Sequence, residues 1–260
     1  MFDRTLGSTI VYDAPPVAPT ESKRSGVAVA TNSPCHSCNF RKTNFCGAVL
    51  NKVGDPSIGT RHLSKRARLN ICRAGDPYKG LIAICDGWAL RFAQLPNGKR
   101  QILSVVLPGD IVSVASVFDQ SHQYSLQAVT DVRYAYLSAE EVQKKLDDGG
   151  PVTQSWARFA AAEQRLSDEL LVDLGQRTAH ERIAAFVLRM MERLSPGQDV
   201  PSLTFDFPLR QQQIAELLGL TPVHVCRVLS AFRKDGICDI SNGMAQILDL
   251  DQLRQIGEAV

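Results

Sequence analysis

The chain has 260 residues, 44% of them hydrophobic, which supports a sizeable core divided into one or two domains. A formal net charge of +2 excludes a bulk polycation, so any nucleic-acid surface must be a local patch. No apolar run reaches the length of a membrane span, which implies no membrane partner, and the start M-F-D-R-T-L-G does not read as a secretory signal, so a cytoplasmic location is expected.

Residues 1–33 are rich in Pro, Ser, Thr, Ala and Val, carry Pro15–Pro16, and show no sustained period, which reads as a flexible tail. A cysteine segment over 34–50 follows, C-H-S-C-N-F-R-K-T-N-F-C, with Cys35, Cys38 and Cys46 in a C-x2-C-x7-C arrangement. Three thiols in a polar stretch have little core to bury them, and clustered cysteines in a reducing compartment point to metal or redox chemistry. His36 lies inside the motif as either a further ligand or a bystander. Cys72, Cys85, Cys226 and Cys238 are scattered, as small hydrophobes of a core would be.

Over 51–150 the pattern is one of short strands and turns. L-I-A-I-C-D-G ends at a turn on Asp86–Gly87, W-A-L-R-F-A-Q-L enters the hairpin signal P-N-G-K, and R-Q-I-L-S-V-V-L runs into P-G-D. Y-S-L-Q-A-V-T-D and V-R-Y-A-Y-L-S complete an antiparallel barrel or sandwich. S-A-E-E at Ser138 then has the form of a helix-capping box.

A long helix is expected over 151–176. Trp156, Phe159, Leu166 and Leu170 recur on one of its sides, close to a heptad seam interrupted by Glu163. Such a stripe serves as core or as a dimer seam. Because the helix lies between two apparent domains, these four residues are the candidate dimer interface.

A second helix over Ala179–Leu194 buries Ile183, Phe186, Val187 and Met190 within a C-terminal unit at 177–260. From Gln211 to Ile237 the sequence reads helix, tight turn, helix. Ile214, Leu217 and Leu218 form the first buried side, and Ala215 permits close approach. Gly219 marks the turn, Thr221 caps the second helix and Pro222 occupies its first position. Val225, Val228, Leu229 and Phe232 form the second buried side. Val223, His224, Cys226, Arg227 and Ser230 remain for the opposite face, where Arg227 is suited to donate twice to guanine O6 and N7. N-G between two short runs after this helix predicts a hairpin, giving a winged helix. The candidate DNA-binding residues are Arg210, Gln211, Gln212, Thr221, Val223, His224, Cys226 and Arg227.

Over residues 35–250 the chain resembles the Crp/Fnr superfamily of bacterial transcription regulators. The landmarks are the cysteine motif, R-A-G-D-P at Arg73–Pro77, D-G at Asp86–Gly87, L-P-G-D at Leu107–Asp110, A-H-E-R-I-A-A-F at Ala179–Phe186, and the winged helix. The resemblance implies an α+β fold: an N-terminal antiparallel β-roll like the cyclic-nucleotide-binding domain, a long dimerisation helix and a C-terminal winged helix-turn-helix. It also implies a homodimer on a two-fold symmetric double-stranded DNA operator, with RNA polymerase as a further partner.

Members that bind cyclic AMP carry G-E after the P-G-D turn and R-S further on. Here those places read Ser113–Val114 and Tyr124–Ser125, so the Arg that would neutralise phosphate is absent, which argues against a cyclic nucleotide. The oxygen-sensing branch, the fumarate and nitrate reduction regulators, is the closest in style. It implies a [4Fe–4S] cluster on Cys35, Cys38 and Cys46. The fourth cysteine is missing from its place at Val132–Tyr136, leaving Cys72, Cys85 or a carboxylate to substitute. A zinc site, a thiol redox switch, or cysteines that bind nothing are the alternatives.

The two best-known branches carry Glu where Val223 stands, and Val223 packs on a thymine methyl rather than accepting from cytosine N4. No nucleophile–base pair, phosphate loop or paired-acid motif supports an enzyme. A sequence-independent architectural DNA binder would be strongly basic, and this chain is not.

Overall fold

The computed structural model describes residues 61–77, 80–112, 121–195 and 201–258. The tail, the cysteine segment with Cys35, Cys38 and Cys46, and Ser113–Val114 lie outside the described residues.

Among the described residues, eight strands build the first domain: β1 (Arg61–Lys65), β2 (Asn70–Cys72), β3 (Gly80–Asp86), β4 (Ala89–Gln94), β5 (Arg100–Val106), β6 (Ile111–Val112), β7 (Ser125–Ala128) and β8 (Val132–Ser138). They form two four-stranded antiparallel sheets, ordered β1-β8-β3-β6 and β2-β7-β4-β5. The apolar run of β3 is explained by its position, central in its sheet with both faces covered. Leu81 and Ala83 join one core cluster with Ala135, Leu137 and Val142, while Ile82 and Ile84 join another with Leu126, Ala128 and Tyr134. Two of the sequence landmarks are turn devices. The Asp76 carboxylate accepts from the Arg73 amide at 2.8 Å, and that of Asp110 accepts from the Leu107 amide at 2.7 Å.

Helix α1 (Ala139–Asp147) begins as expected at Ser138, whose hydroxyl accepts from the Glu141 amide at 3.3 Å. The long helix α2 spans Pro151–Gln176. Helix α3 (Ala179–Leu194) buries Ile183, Phe186, Val187 and Met190. Its start is fixed by a reciprocal box: Thr178 Oγ1 accepts from the Glu181 amide, and the Glu181 carboxylate accepts from the Thr178 amide at 2.7 Å. Hydrogen bonding from the Thr178 amide, and then from the Thr178 hydroxyl, holds the Glu181 carboxyl below the usual carboxylate range. The winged helix follows: β9 (Thr204–Asp206), α4 (Gln211–Leu218), α5 (Pro222–Lys234), β10 (Cys238–Ser241), β11 (Met244–Ile247) and α6 (Leu250–Gly257).

The largest core cluster does not respect the boundary between strands and helices. It runs from Trp88, Leu90, Phe92 and Ile102 of the sheet into Phe186, Phe207, Leu217 and Phe232 of the helical domain. Phe207 is its hub, edge-on to Trp88 at 6.2 Å, Phe186 at 5.9 Å and Phe205 at 6.3 Å.

Of the stripe expected to form the dimer seam, Trp156, Phe159 and Leu170 are half-buried and Leu166 is exposed at 37%. Trp156 and Phe159 pack on the cluster around Leu81 and Ala135. Leu166 and Leu170 line a cleft bounded by β5, α3 and α4. An apolar stripe packs on whichever apolar surface is nearest, and the strand domain supplies one to the N-terminal half of the helix. The opposite side of α2 is open. Ala157, Ala161, Gln164, Asp168, Leu171 and Gly175, alternately four and three residues apart, are all exposed.

Candidate nucleic-acid interface

The helix-turn-helix follows from local chemistry. Helix α4 ends at Gly219, which takes the left-handed backbone conformation (φ 64°) that a side chain would disfavour. A Cβ there would also lie 3.0 Å from Leu174, so the turn sits on the end of α2. The chain then bends by 107° into α5. Thr221 Oγ1 accepts from the His224 amide at 3.2 Å, and Pro222 opens the helix. Ile214, Ala215, Leu217 and Leu218 of α4 are buried, as are Val225, Val228, Leu229 and Phe232 of α5.

What remains outward is the face the spacing assigned. Thr221, Val223, His224, Cys226, Arg227 and Ser230 are all exposed, Val223 at 58%. Two arginines on α5 differ in kind. Arg233 is spent on Asp239 of the adjacent wing strand, whereas Arg227 has no ion pair among the described residues. Its guanidinium donors remain available to a base edge. Arg210, Gln211 and Gln212 are exposed at the start of α4. The Arg210 amide donates to the Gln213 side chain at 2.8 Å, and Gln212 folds back to donate to Glu216 at 3.0 Å. Asn242 and Gly243 close β10 onto β11 with both residues at positive φ, and β9 adds a third strand to the wing.

Two groups that fix this interface to the rest of the molecule carried no sequence signal as site residues. Arg182 donates to three carbonyls at once, those of Arg177 (2.8 Å), Leu174 (2.9 Å) and Leu218 (3.0 Å). It thereby satisfies the ends of both α2 and α4. Asp173 is almost wholly buried, between Arg177 and Arg189. The A-H-E-R landmark pointed at Arg182, but not at its partners.

In the strand domain, Tyr124 is exposed and the Ser125 hydroxyl accepts from the Ala74 amide at 3.0 Å. Arg91 lies over the Tyr124 ring at 5.8 Å and pairs with Glu163 of α2 at 3.1 Å. Of the scattered cysteines, Cys72 and Cys238 are buried as expected. Desolvation pushes both thiols up to about 11. Cys85 is half-buried and Cys226 is exposed on α5. Among the described residues, no group of three or more His, Cys, Asp or Glu is arranged to hold a metal ion. Nor, among them, is any single helix long and apolar enough to cross a membrane.

Residues 64–148 match the cyclic nucleotide-binding domain family and residues 181–256 the Crp-like helix-turn-helix domain family. The chain is 29% identical to a probable transcriptional activator of Rhizobium leguminosarum bv. viciae, over 92% of this chain and 98% of that one. It is 27% identical to the transcriptional activator protein FnrL of Cereibacter sphaeroides, over 86% of this chain and 91% of that one. Its fold is similar to that of FixK2 from Bradyrhizobium japonicum, with a TM-score of 0.70 and 25% identity, over 77% of this chain and 98% of that one.

Proposed function

From the premise that the chain belongs to the Crp/Fnr family of DNA-binding transcription regulators, rather than to any class of enzyme, we propose that it reads a two-fold symmetric operator as a homodimer. The observation that carries this reading is the outward face of α5, where Arg227, without an ion pair among the described residues, stands beside exposed Val223 and His224. Arg227 donates to guanine in each half-site, and Val223 sets a neighbouring preference for thymine. The dimer axis runs along the open side of α2, through Ala157, Ala161, Gln164, Asp168, Leu171 and Gly175, whose spacing is that of a heptad seam. Once on the operator, the dimer acts on RNA polymerase as an activator. Selection of bound sequences from a random pool tests the reading. A palindrome with G and T at fixed places in each half is expected, and recovery of unrelated sequences would overturn it.

The sensing reading is a [4Fe–4S] cluster on Cys35, Cys38 and Cys46. It is supported by the spacing of these thiols and by the likeness to FnrL. Cys72 fits poorly as the fourth ligand. Its side chain is buried in the core cluster with Ile82, Ile84 and Leu126. Cys85, half-buried on β3, is the better cysteine. Anaerobic protein should then contain iron and sulfide with a cluster absorption band, and Cys38→Ser should lose both. Zinc in their place would favour the structural-zinc alternative, and metal-free protein would overturn both.

A further inference from the structure

We propose that the β4–β5 hairpin positions the DNA-binding domain through a side-chain relay, Gln127 to Arg100 to Glu216. The proposal rests on the operator-binding reading and names the contact that orients its reading head.

Arg100 is the first residue of β5, and its guanidinium is held on three sides. Nε and one terminal nitrogen both lie 2.6 Å from the same Glu216 carboxylate oxygen on α4. The other terminal nitrogen donates to the Gln127 side-chain oxygen at 2.9 Å. The Phe92 ring lies beneath it, with its centroid at 5.0 Å. A planar fork fixed this way sets an orientation, where a flexible ammonium would supply only attraction. The next residue adds a second tie across the same junction, since the Gln101 side-chain Nε2 donates to the Leu217 carbonyl at 3.2 Å.

The apolar cluster below, from Phe92 and Ile102 to Ile214, Leu217 and Leu218, supplies adhesion. Apolar burial is non-directional, so it does not by itself select an angle. The polar ties above it do. The Glu216 oxygen that is not bound to Arg100 accepts from Gln212, so the relay ends on the exposed start of α4. It leaves Val223, His224 and Arg227 open, so the docked arrangement is one in which DNA can be read.

The other end of the relay lies in the sensor domain. Gln127 belongs to β7, which begins at Ser125, directly after Tyr124, and its side-chain Nε2 donates to the Arg68 carbonyl at 3.1 Å. Gln127 is therefore held in the β-roll at one end and by Arg100 at the other. A shift of β7 reaches α4 through two side-chain contacts. Arg100 and Gln127 are positioning residues in this scheme, and neither needs to touch DNA.

A double-mutant cycle on the full-length protein tests this, using an operator selected by the wild type. Arg100→Ala is expected to weaken operator binding about tenfold, and Glu216→Ala similarly. The double variant should be no weaker than either single one. The charge reversal Arg100→Glu with Glu216→Arg should recover most of the loss. Gln127→Ala should weaken operator binding in the same direction, although no charge is removed. In a Trp156→Phe background, Trp88 emission should shift to the red in Arg100→Ala as the seam with Phe207 loosens. Additive losses in the cycle, or a Gln127→Ala protein that binds as the wild type does, would overturn the proposal. If the wild type does not prefer its selected operator over random DNA, the operator-binding reading fails instead. The Trp88 shift, and its reversal in the charge-swapped protein, then decides the positioning contact alone.

Discussion

Helix α5 and helix α2 are both amphipathic, and they differ in what lies across from each side. Helix α5 buries Val225, Val228, Leu229 and Phe232 in its own small domain and turns everything else outward. The buried side of such a helix is set by neighbours a few residues away, so its outer side follows by elimination. Helix α2 runs past two domains. Of its bulky stripe, Trp156 and Phe159 pack within the protomer, Leu166 and Leu170 line an open cleft, and the opposite side exposes Ala157, Ala161, Gln164, Asp168, Leu171 and Gly175. Apolar spacing therefore identifies a buried side in both helices, but it identifies the partner only where the partner is local.

The most damaging way to break this comparison is at the joint between the two regions. Asp173 of α2 is nearly inaccessible to water and is paired with Arg177 and with Arg189 of α3. Replacing it with Ala strands the Arg189 guanidinium and leaves Arg177 with its bond to the Gly257 carbonyl. Asp173→Ala is expected to cost about 3 kcal/mol of stability, the lower end of the range for a broken buried pair because both arginines keep some contact with water. Denaturant unfolding measures it, and a loss below about 1 kcal/mol, as for a surface pair, would remove this ion cluster from the account of the joint.

The outer side of α5 gives the next largest effect. Arg227→Ala removes a two-bond contact to a base and should cost about 1–3 kcal/mol per half-site while the dimer stays folded. Competition between operator and random DNA at fixed salt is the measurement. Undiminished preference for the operator would shift base reading to other residues of the face.

The open side of α2 comes third. Leu171→Glu places like charges across the proposed axis and should weaken the dimer about tenfold or more, whereas Asp168→Leu, which removes a charge from the same seam, should tighten it. Analytical ultracentrifugation separates this seam from the stripe first expected. If Leu166→Glu disrupts the dimer and Leu171→Glu does not, the two sides of α2 have been exchanged.

The legible parts of the molecule share a physical feature. The Ser138 and Thr221 caps, the Gly219 turn, the Asn242–Gly243 hairpin and the buried faces of α3, α4 and α5 are each decided within a few residues of sequence. The Thr178–Glu181 box was equally local, and its T-x-x-E spacing could have been read. The parts that were not legible are long-range pairings of polar side chains. Arg100 and Gln101 look like ordinary polar positions at the start of a strand, and their partners Glu216 and Leu217 lie 116 residues away. Asp173 looks like a surface carboxylate until Arg189 arrives from the next helix. No period or motif marks a contact that depends on how two domains dock.

The smallest effect concerns the local side of the comparison. The Thr221 hydroxyl satisfies the His224 amide at the first turn of α5, and Pro222 has no amide to satisfy. Thr221→Ala leaves the His224 amide exposed to water rather than buried, so the loss is that of a cap: about 1 kcal/mol. Val223 and His224 are carried on the turn that this cap holds, so operator affinity should fall by a few-fold as the turn frays, while binding to random DNA barely changes. Thr221→Ser keeps the accepting oxygen and should restore both stability and affinity. If Thr221→Ala lowers stability as expected but leaves operator affinity intact, the first turn of α5 is held by the DNA itself. Recognition would then begin further along the helix, at Arg227.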